Sequence, residues 1–353
     1  MRTALDPTGG PRSPTRFEQM TPGASRNNPL RVVFMGTPEL AATALEGLYQ
    51  AGYDLPLVVT RTDRPGGRGY RQACSPVKRF AAEKGLALYQ PPNIKEAEAL
   101  GRIREASPDV VVAAAYGKIL PPPILEAAPL GCLNIHASLL PAYRGAAPIQ
   151  QALLNGGGET GVTIMKMDEG LDTGPILLQE KFTIAEDMDY GSLYAALAGL
   201  GARLLLEALP LWAEGRLKPK DQPAEGATYA GLMERKHEII DWSWPADRIR
   251  NQIRAFSPSP GASARLGGKE IKILGARILS DESITEAAEV PALPGQIVGV
   301  LRREGPVVAA GEGRLLLTKL QPAGKKPMDG WAWLNGSRAA PGQCFEQAVN
   351  PDQ

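Results

Sequence analysis

The sequence is poor in the residues that build metal centres and disulfide frameworks. It has 353 residues but only three cysteines and two histidines. Cys74, Cys132 and Cys344 lie far apart along the chain and form no Cys-x-x-Cys pair. A zinc site and a disulfide framework are therefore not expected, and no metal cofactor is predicted.

Long apolar runs are also missing. No stretch approaches the roughly eighteen uninterrupted apolar residues that would indicate a membrane-spanning helix. The N-terminus lacks a basic segment followed by an apolar core, so it does not have the pattern of a secretory signal. We therefore expect a cytoplasmic protein without a membrane anchor.

An excess of one charge is the third absence. The 39 basic and 38 acidic residues nearly cancel, which argues against a uniformly basic nucleic-acid-binding surface. The composition, 43% hydrophobic and 22% charged, is that of an ordinary soluble enzyme. The length favours two folded units with separate cores.

Changes in composition along the chain predict four segments. Residues 1–29 are rich in Pro, Gly, Ser, Thr and Arg, and we predict that they form a disordered extension. An organellar transit peptide is the alternative interpretation of this segment. A catalytic domain over 30–209, a linker over 210–227 and a second domain over 228–350 are predicted to follow.

The first domain alternates short apolar runs with helical patterns. The apolar runs at 31–35, 57–60 and 109–115 are typical of buried parallel strands. This alternation predicts a doubly wound, Rossmann-like α/β sheet, in which ligands bind at the carboxyl ends of the strands. A long apolar helix is predicted over 189–209 and is expected to end before Pro210.

The turn after the first predicted strand, Met35-Gly36-Thr37-Pro38, lacks the three spaced glycines of a dinucleotide-binding fingerprint. A nicotinamide cofactor is therefore not expected. Gly36 could permit a tight strand-to-helix turn or the close approach of a ligand, and the residues alone do not decide between the two.

The second domain contains short β-rich segments between glycines, at 271–274, 295–301, 307–310 and 315–320. One helical pattern lies around 245–256. Together these predict a small β-barrel with a helix. Four tryptophans are expected to pack in cores rather than to stack on nucleotides: Trp242, Trp244, Trp331 and Trp333.

The residues most suited to chemistry lie where an apolar strand runs into a loop, over 132–141. Asn134 and His136 are two residues apart, so a strand would direct both side chains to one face. An amide can donate to a developing oxyanion while an imidazole supplies a proton. An isolated pair of this kind more often satisfies loop backbone groups than performs catalysis, but Asp172, in a glycine-flanked turn, could face the histidine.

These residues lie in the motifs Asn-x-His-x-Ser-Leu-Leu-Pro (134–141) and Gly-x-Asp-x-Gly (170–174). The two motifs resemble those of the folate-dependent formyltransferases. The resemblance implies that Asn134, His136 and Asp172 are catalytic and that the formyl donor is 10-formyltetrahydrofolate. It also implies a C-terminal barrel of the oligonucleotide-binding (OB) kind. The residues that it places against the folate are Ser138, Leu139, Leu140 and Pro141.

Further features are similar to the branch of this family whose acceptor is initiator methionyl-tRNA. They are the run over 34–38, the inserted segment over 61–78 and the complete second domain. Residues 61–79 hold six basic residues and one acidic residue, a local net charge of +5 that suits phosphate contacts. A solvated surface loop is the alternative interpretation. The predicted tRNA-contacting residues are Arg61, Arg64, Arg68 and Arg71.

The resemblance implies attack by the α-amino group of methionyl-tRNA on the formyl carbon. Asn134 and a protonated His136 would stabilise the resulting oxyanion, and Asp172 would stabilise and orient the charged ring. We expect the enzyme to act as a monomer. Three alternatives stay open: an amino-sugar nucleotide as acceptor, hydrolysis with water as acceptor, and a non-catalytic RNA-binding protein on the same scaffold.

Overall fold

The computed structural model describes residues 29–65, 72–280 and 292–347, without the side chains of 64, 65, 72 and 73. Residues 1–28, nearly all of the predicted extension, lie outside these ranges. The chain divides into two compact units, each assembled from several stretches. The first unit comprises Met1–Ile135, Ile164–Met167 and Gly199–Pro219, and the second comprises His136–Thr163, Asp168–Ala198 and Lys220–Gln353.

Strands and helices alternate along the first part of the chain, as predicted. In chain order they are β1 (Arg31–Gly36), α1 (Glu39–Gln50), β2 (Asp54–Val59), β3 (Arg64–Pro65), β4 (Gln72–Ala73), α2 (Pro76–Glu83), β5 (Leu88–Tyr89), α3 (Ala97–Glu105), β6 (Val110–Ala114), α4 (Pro122–Leu125), β7 (Cys132–His136), β8 (Arg144–Gly145), α5 (Pro148–Leu154), β9 (Glu159–Lys166), β10 (Ile176–Thr183) and α6 (Tyr190–Ala213).

A seven-stranded sheet has the order β10-β9-β7-β6-β1-β2-β5. The pairs β1 with β2, β1 with β6, β6 with β7 and β2 with β5 are parallel. Strand order therefore reverses at β1, which is the signature of a doubly wound sheet. All five residues of β6 and the last five of β1 are buried, because helices cover both faces of a parallel sheet.

Helix α6 corrects one prediction. The helix was expected to end before Pro210, but it runs to Ala213 with Pro210 inside it. The last turn is fixed by tertiary contacts, since the Trp212 indole N–H donates to the Leu130 carbonyl over 2.9 Å. The chain leaves the helix at Gly215, whose φ of +68° is a usual helix ending.

Among the described residues, α6 is also the one helix whose length and apolar composition would allow it to cross a membrane. In its most apolar window, 56% is buried inside the fold. The same length and composition are found in core helices of soluble proteins.

The C-terminal part is an antiparallel sheet with helices packed on it. Its elements are β11 (Tyr229–Ala230), a 3-10 turn (Arg235–Glu238), α7 (Ala246–Phe256), β12 (Ala262–Leu266), β13 (Lys269–Leu279), β14 (Ile297–Leu301), β15 (Gly305–Ala309), β16 (Arg314–Pro322), β17 (Met328–Asp329) and α8 (Gly330–Ser337). Strand order is β12-β13-β16-β15-β14, with β17 on β16. Within the described residues this pairing is an open path, so the predicted sheet is present but barrel closure is not.

The tryptophans pack as predicted. Trp242 and Trp333 are buried in the core of this sheet, and Trp244 and Trp331 pack against it. Phe345 stacks on Trp242 with ring centroids 5.0 Å apart, and on Trp333 at 6.3 Å. These side chains are therefore part of the core rather than an exposed stacking platform.

The fold gives Gly36 a packing role. A Cβ atom at Gly36 would lie 2.9 Å from the Ala114 carbonyl oxygen and 2.5 Å from the Ala41 Cβ. Because the first of these atoms is backbone, relief requires β1 and β6 to move apart. The close approach of strand and helix is sufficient reason for glycine at this position.

We expect Gly36→Ala to lower the free energy of unfolding by about 1–3 kcal/mol, because it overpacks the end of β1. Urea unfolding followed by circular dichroism measures the change. Gly101→Ala is the matched control, since its Cβ in α3 meets no atom within 4 Å. It should raise stability by about 0.5–1 kcal/mol through helix propensity. Equal stability of the two variants would refute the packing role.

Candidate active site

The predicted pair Asn134 and His136 occupies alternate positions at the carboxyl end of β7. This strand pairs in parallel with β6, where Ala113 lies opposite Asn134. The His136 side chain is only 5% exposed, whereas Asn134 is partly exposed. Alternation along a strand directs both side chains to one face, at the edge of the sheet where α/β folds bind ligands.

Both ring nitrogens of His136 face oxygen atoms. Nε2 lies 2.9 Å from the Tyr143 carbonyl oxygen, and Nδ1 lies 3.6 Å from Oδ2 of Asp172. A carbonyl oxygen only accepts hydrogen bonds, so Nε2 carries a proton. A second proton on Nδ1 would face the carboxylate, and the resulting imidazolium would satisfy both oxygens. The arrangement can therefore hold a positive charge at the end of β7.

Asp172 is held in an uncommon backbone conformation. Its φ is +53°, in the left-handed region that is uncommon for residues other than glycine, although asparagine and aspartate adopt it more often than most. Its Oδ2 accepts a hydrogen bond from the backbone N–H of Gly145 over 2.9 Å. The same carboxylate oxygen thus faces both His136 and a backbone donor, which fixes its direction relative to the ring.

Asp168 closes the loop that carries Asp172, and the sequence analysis did not identify it. Its carboxylate accepts hydrogen bonds from the Gly170 N–H over 3.0 Å and from the Thr173 hydroxyl over 2.8 Å. Asp in a turn commonly bonds the backbone two residues on, and this was the available signal. Asp168 therefore shapes the loop without facing the histidine.

Gln222 and Arg144 are two further residues that the sequence analysis did not assign. The Gln222 amide donates to the carbonyl oxygens of Asp172 over 2.8 Å and of Gly174 over 2.7 Å. Its Oε1 accepts from Nε and Nη2 of the buried Arg144, over 3.0 and 2.8 Å. Gln222 lies in the predicted linker, where residue type and spacing gave no signal.

The predicted folate-contacting residues divide into two groups. Ser138 and Leu140 are buried, and the Ser138 hydroxyl donates to the Ala142 carbonyl over 2.6 Å. Leu139 and Pro141 are partly exposed. The first two residues therefore support the loop, whereas the second two present apolar surface that a ligand could contact.

The loop is also tied to a buried hydroxyl. Thr163 accepts from the Leu140 N–H over 3.2 Å and donates to the Ser138 carbonyl over 2.7 Å. Gln179 donates to the Leu140 carbonyl over 3.0 Å. These bonds fix the backbone between His136 and Pro141.

Most of the predicted tRNA-contacting residues lie outside what the structure describes. Arg68 and Arg71 fall outside the described ranges, as does the side chain of Arg64. The described Arg61 is half-buried. β3 and β4, on either side of residues 66–71, pair antiparallel.

Two basic residues of this segment have acidic partners among the described residues: Lys78, and the exposed Arg79, which lies 3.8 Å from Glu39. Lys78 forms an ion pair with Asp63, and its hydrogen bond lowers the pKa of that carboxyl, with a second contribution from Gln90. The charge that remains to attract a polyanion is therefore mainly that of the arginines. Among the described residues, no cluster of three His, Cys, Asp or Glu side chains suits a metal ion.

Comparison with protein families matches both parts of the chain. Residues 30–209 match the profile described as formyl transferase, and residues 233–338 match that of the formyl transferase C-terminal domain. A methionyl-tRNA formyltransferase of Symbiobacterium thermophilum is 44% identical over 324 residues, covering 92% of this chain and 98% of the relative. One from Acidovorax ebreus is 48% identical over 328 residues, covering 90% and 100%.

Solved structures with the same fold are more distant in sequence. HypX from Aquifex aeolicus in complex with tetrahydrofolic acid has a TM-score of 0.59 at 18% identity, covering 86% of this chain and 47% of that one. An N-formyltransferase from Helicobacter canadensis, in complex with folinic acid and dTDP-3-aminofucose, has a TM-score of 0.58 at 16% identity, covering 83% and 99%. At these identities the likeness concerns the fold alone.

Proposed function

This chain belongs to the formyl transferase family, and we propose that it transfers the formyl group of 10-formyltetrahydrofolate to the α-amino group of initiator methionyl-tRNA. The product is N-formylmethionyl-tRNA, which serves translation initiation. The observation that carries the proposal is the near-full-length similarity to methionyl-tRNA formyltransferases, across both family domains. The contact of His136 with Asp172 supports the chemistry.

In the proposed reaction the amine nitrogen bonds to the formyl carbon, and the bond from that carbon to the folate nitrogen then breaks. The formyl oxygen carries negative charge in between. Asn134 donates a hydrogen bond to this oxygen, and the positive His136 ring stabilises it electrostatically. Both interactions strengthen as charge develops, so they act mainly on the transition state.

The Asp172 carboxylate would stabilise positive charge that develops on the His136 ring during the reaction and would orient the ring. The amine must lose a proton and the departing folate nitrogen must gain one. The Nδ1 atom of His136 faces the Asp172 carboxylate at 3.6 Å. One relay through His136 and Asp172 can therefore serve both transfers.

The folate is proposed to lie against the loop of Ser138, Leu139, Leu140 and Pro141, in which the side chains of Leu139 and Pro141 are partly exposed. Two hydrogen bonds hold this loop in place. The Ser138 hydroxyl donates to the Ala142 carbonyl, and the Leu140 N–H donates to the Thr163 hydroxyl. A loop that is rigid before the donor arrives reduces the ordering cost of binding.

The acceptor tRNA is proposed to contact Arg61, Arg64, Arg68 and Arg71. Their shared property is positive charge in a glycine-containing segment with a single acidic residue, which suits a phosphate backbone. We also propose that the C-terminal sheet belongs to an OB-like barrel that contacts the tRNA. Its antiparallel strands and packed helices are compatible with that fold.

The remaining assignments follow from composition and resemblance. The proposed boundaries are an extension over 1–29, a catalytic domain over 30–209, a linker over 210–227 and a tRNA-contacting domain over 228–350. The protein is proposed to be a cytoplasmic monomer that does not enter membranes.

The proposed function is tested by following labelled formyl groups from 10-formyltetrahydrofolate. We expect label on charged initiator methionyl-tRNA, and none on uncharged tRNA or on a dTDP-amino sugar offered in parallel. Label on the sugar would retain the chemistry but replace the acceptor. Label released only to water would instead identify a hydrolase.

His136→Ala and Asp172→Asn should each lower kcat by about 100-fold or more, because each removes charge from the transition-state site. Asparagine is chosen because it tolerates the left-handed backbone of Asp172. The dissociation constant for the folate donor, measured by fluorescence quenching, should change little. His237→Ala, which alters the other histidine, is the control and should keep normal turnover. Normal turnover of either site variant would remove these residues from the mechanism.

Arg68→Ala should raise the KM for methionyl-tRNA and leave the KM for the folate donor unchanged. The loss of one phosphate contact should also reduce the slope of log KM against log salt concentration by about 1. Steady-state kinetics at several salt concentrations measure both effects. Arg104→Ala removes an exposed arginine of α3 and serves as the control. The same salt slope in both variants as in the unaltered enzyme would exclude Arg68 from the contact.

A further inference from the structure

Gln222 uses both ends of its side-chain amide. Nε2 donates to two carbonyl oxygens, those of Asp172 and Gly174, while Oε1 accepts two bonds from Arg144. Because the carbonyls only accept and the guanidinium only donates, a single orientation of the amide satisfies all four bonds. Gln222 is therefore fixed between a buried cation and the loop that carries Asp172.

The loop needs this support because its backbone is strained at Asp172. A left-handed conformation at a residue other than glycine persists only where the surroundings hold it. The Gln222 amide holds the peptide carbonyl of Asp172, and the Gly145 N–H holds its carboxylate. Main chain and side chain of the same residue are thus fixed from two different segments.

The segment that carries Gln222 also holds the other oxygen facing His136. The Thr228 hydroxyl accepts from the Tyr143 N–H over 2.8 Å, and the Thr228 carbonyl accepts from the Arg144 N–H over 2.8 Å. Ala230 accepts from the Ala146 N–H over 2.9 Å, within the pairing of β8 and β11. The stretch 222–230 therefore supports both Tyr143 and Asp172, the two residues whose oxygens face the ring.

We propose that Gln222 is a positioning residue for Asp172, and that the segment predicted as a linker thereby sets the geometry of the proton relay. The inference rests on the proposed function for its kinetic test only. Gln222 acts through Asp172, since its amide bonds the loop backbone rather than the histidine.

Gln222→Glu separates positioning from folding. The variant keeps an oxygen acceptor for Arg144, now as an ion pair, but turns an acceptor toward the Asp172 and Gly174 carbonyls. We expect kcat to fall by about 10- to 100-fold, because a catalytic group displaced by about 1 Å can cost that much. The KM values for both substrates should stay close to those of the unaltered enzyme. The thermal midpoint should fall, since two hydrogen bonds to the loop are lost, but circular dichroism should show the variant folded at the assay temperature.

A double-mutant cycle with Asp172→Asn tests the route of the effect. If Gln222 acts through Asp172, the double variant should turn over at the rate of Asp172→Asn alone. If the decrease in kcat of the double variant instead equals the product of the two single decreases, the residues act independently and the proposal is overturned. Gln222→Met removes the same amide donors without adding charge and should reproduce the fall in kcat.

Histidine resonances provide a readout that does not require activity. The chain has two histidines, so His136 can be followed by NMR with His237 as an internal reference. Gln222→Glu should shift the His136 ring signals and leave those of His237 in place. Gln50→Glu, which alters an exposed amide of α1 bonded to the Glu46 carboxylate, should leave kcat and both histidines unchanged.

The formylation assay and the NMR measurement separate the proposed function from the positioning role of Gln222. An unaltered enzyme that formylates none of the acceptors would refute the proposed function, while the His136 signals would still report on the loop. Active enzyme with unchanged kcat and unchanged His136 signals in Gln222→Glu would refute the positioning role alone.

Discussion

The site depends on the placement of one buried imidazole between two oxygen atoms. A polar ring that is 5% exposed needs partners for both nitrogens, since an unpaired buried donor costs about 1–3 kcal/mol. Tyr143 supplies a carbonyl on one side of His136, and Asp172 supplies a carboxylate on the other. Strand β7 fixes the position of His136. The rest of the fold must then hold the loops of Tyr143 and Asp172 against the ring.

Both loops use backbone conformations that local sequence disfavours. Tyr143 has a φ of +60° and Asp172 a φ of +53°. Each is supported by hydrogen bonds from elsewhere in the chain, including Gly145, Thr228 and Gln222. Strain concentrated at a functional site and compensated by its surroundings is a common arrangement in enzymes. The stretch 222–230 is therefore better understood as part of the site than as a spacer.

The fold and the acceptor are separate questions. Proteins of similar fold include one solved with a dTDP-amino sugar, so the scaffold alone does not identify what receives the formyl group. In this chain the near-full-length similarity to methionyl-tRNA formyltransferases and the arginine-rich segment favour tRNA as the acceptor. Because Lys78 pairs with Asp63, the net charge of +5 over residues 61–79 is that of the five arginines.

The sequence alone determined the alternation of strands and helices, the common face of Asn134 and His136, and the core position of the tryptophans. These depend on apolar periodicity and on side-chain chemistry, which neighbouring residues encode. Tertiary structure decided that α6 continues through Pro210, that Gly36 is a packing position and that Gln222, 50 residues beyond Asp172, holds its loop. Such contacts join segments distant in the chain, and no local pattern marks them because the path of the backbone brings them together.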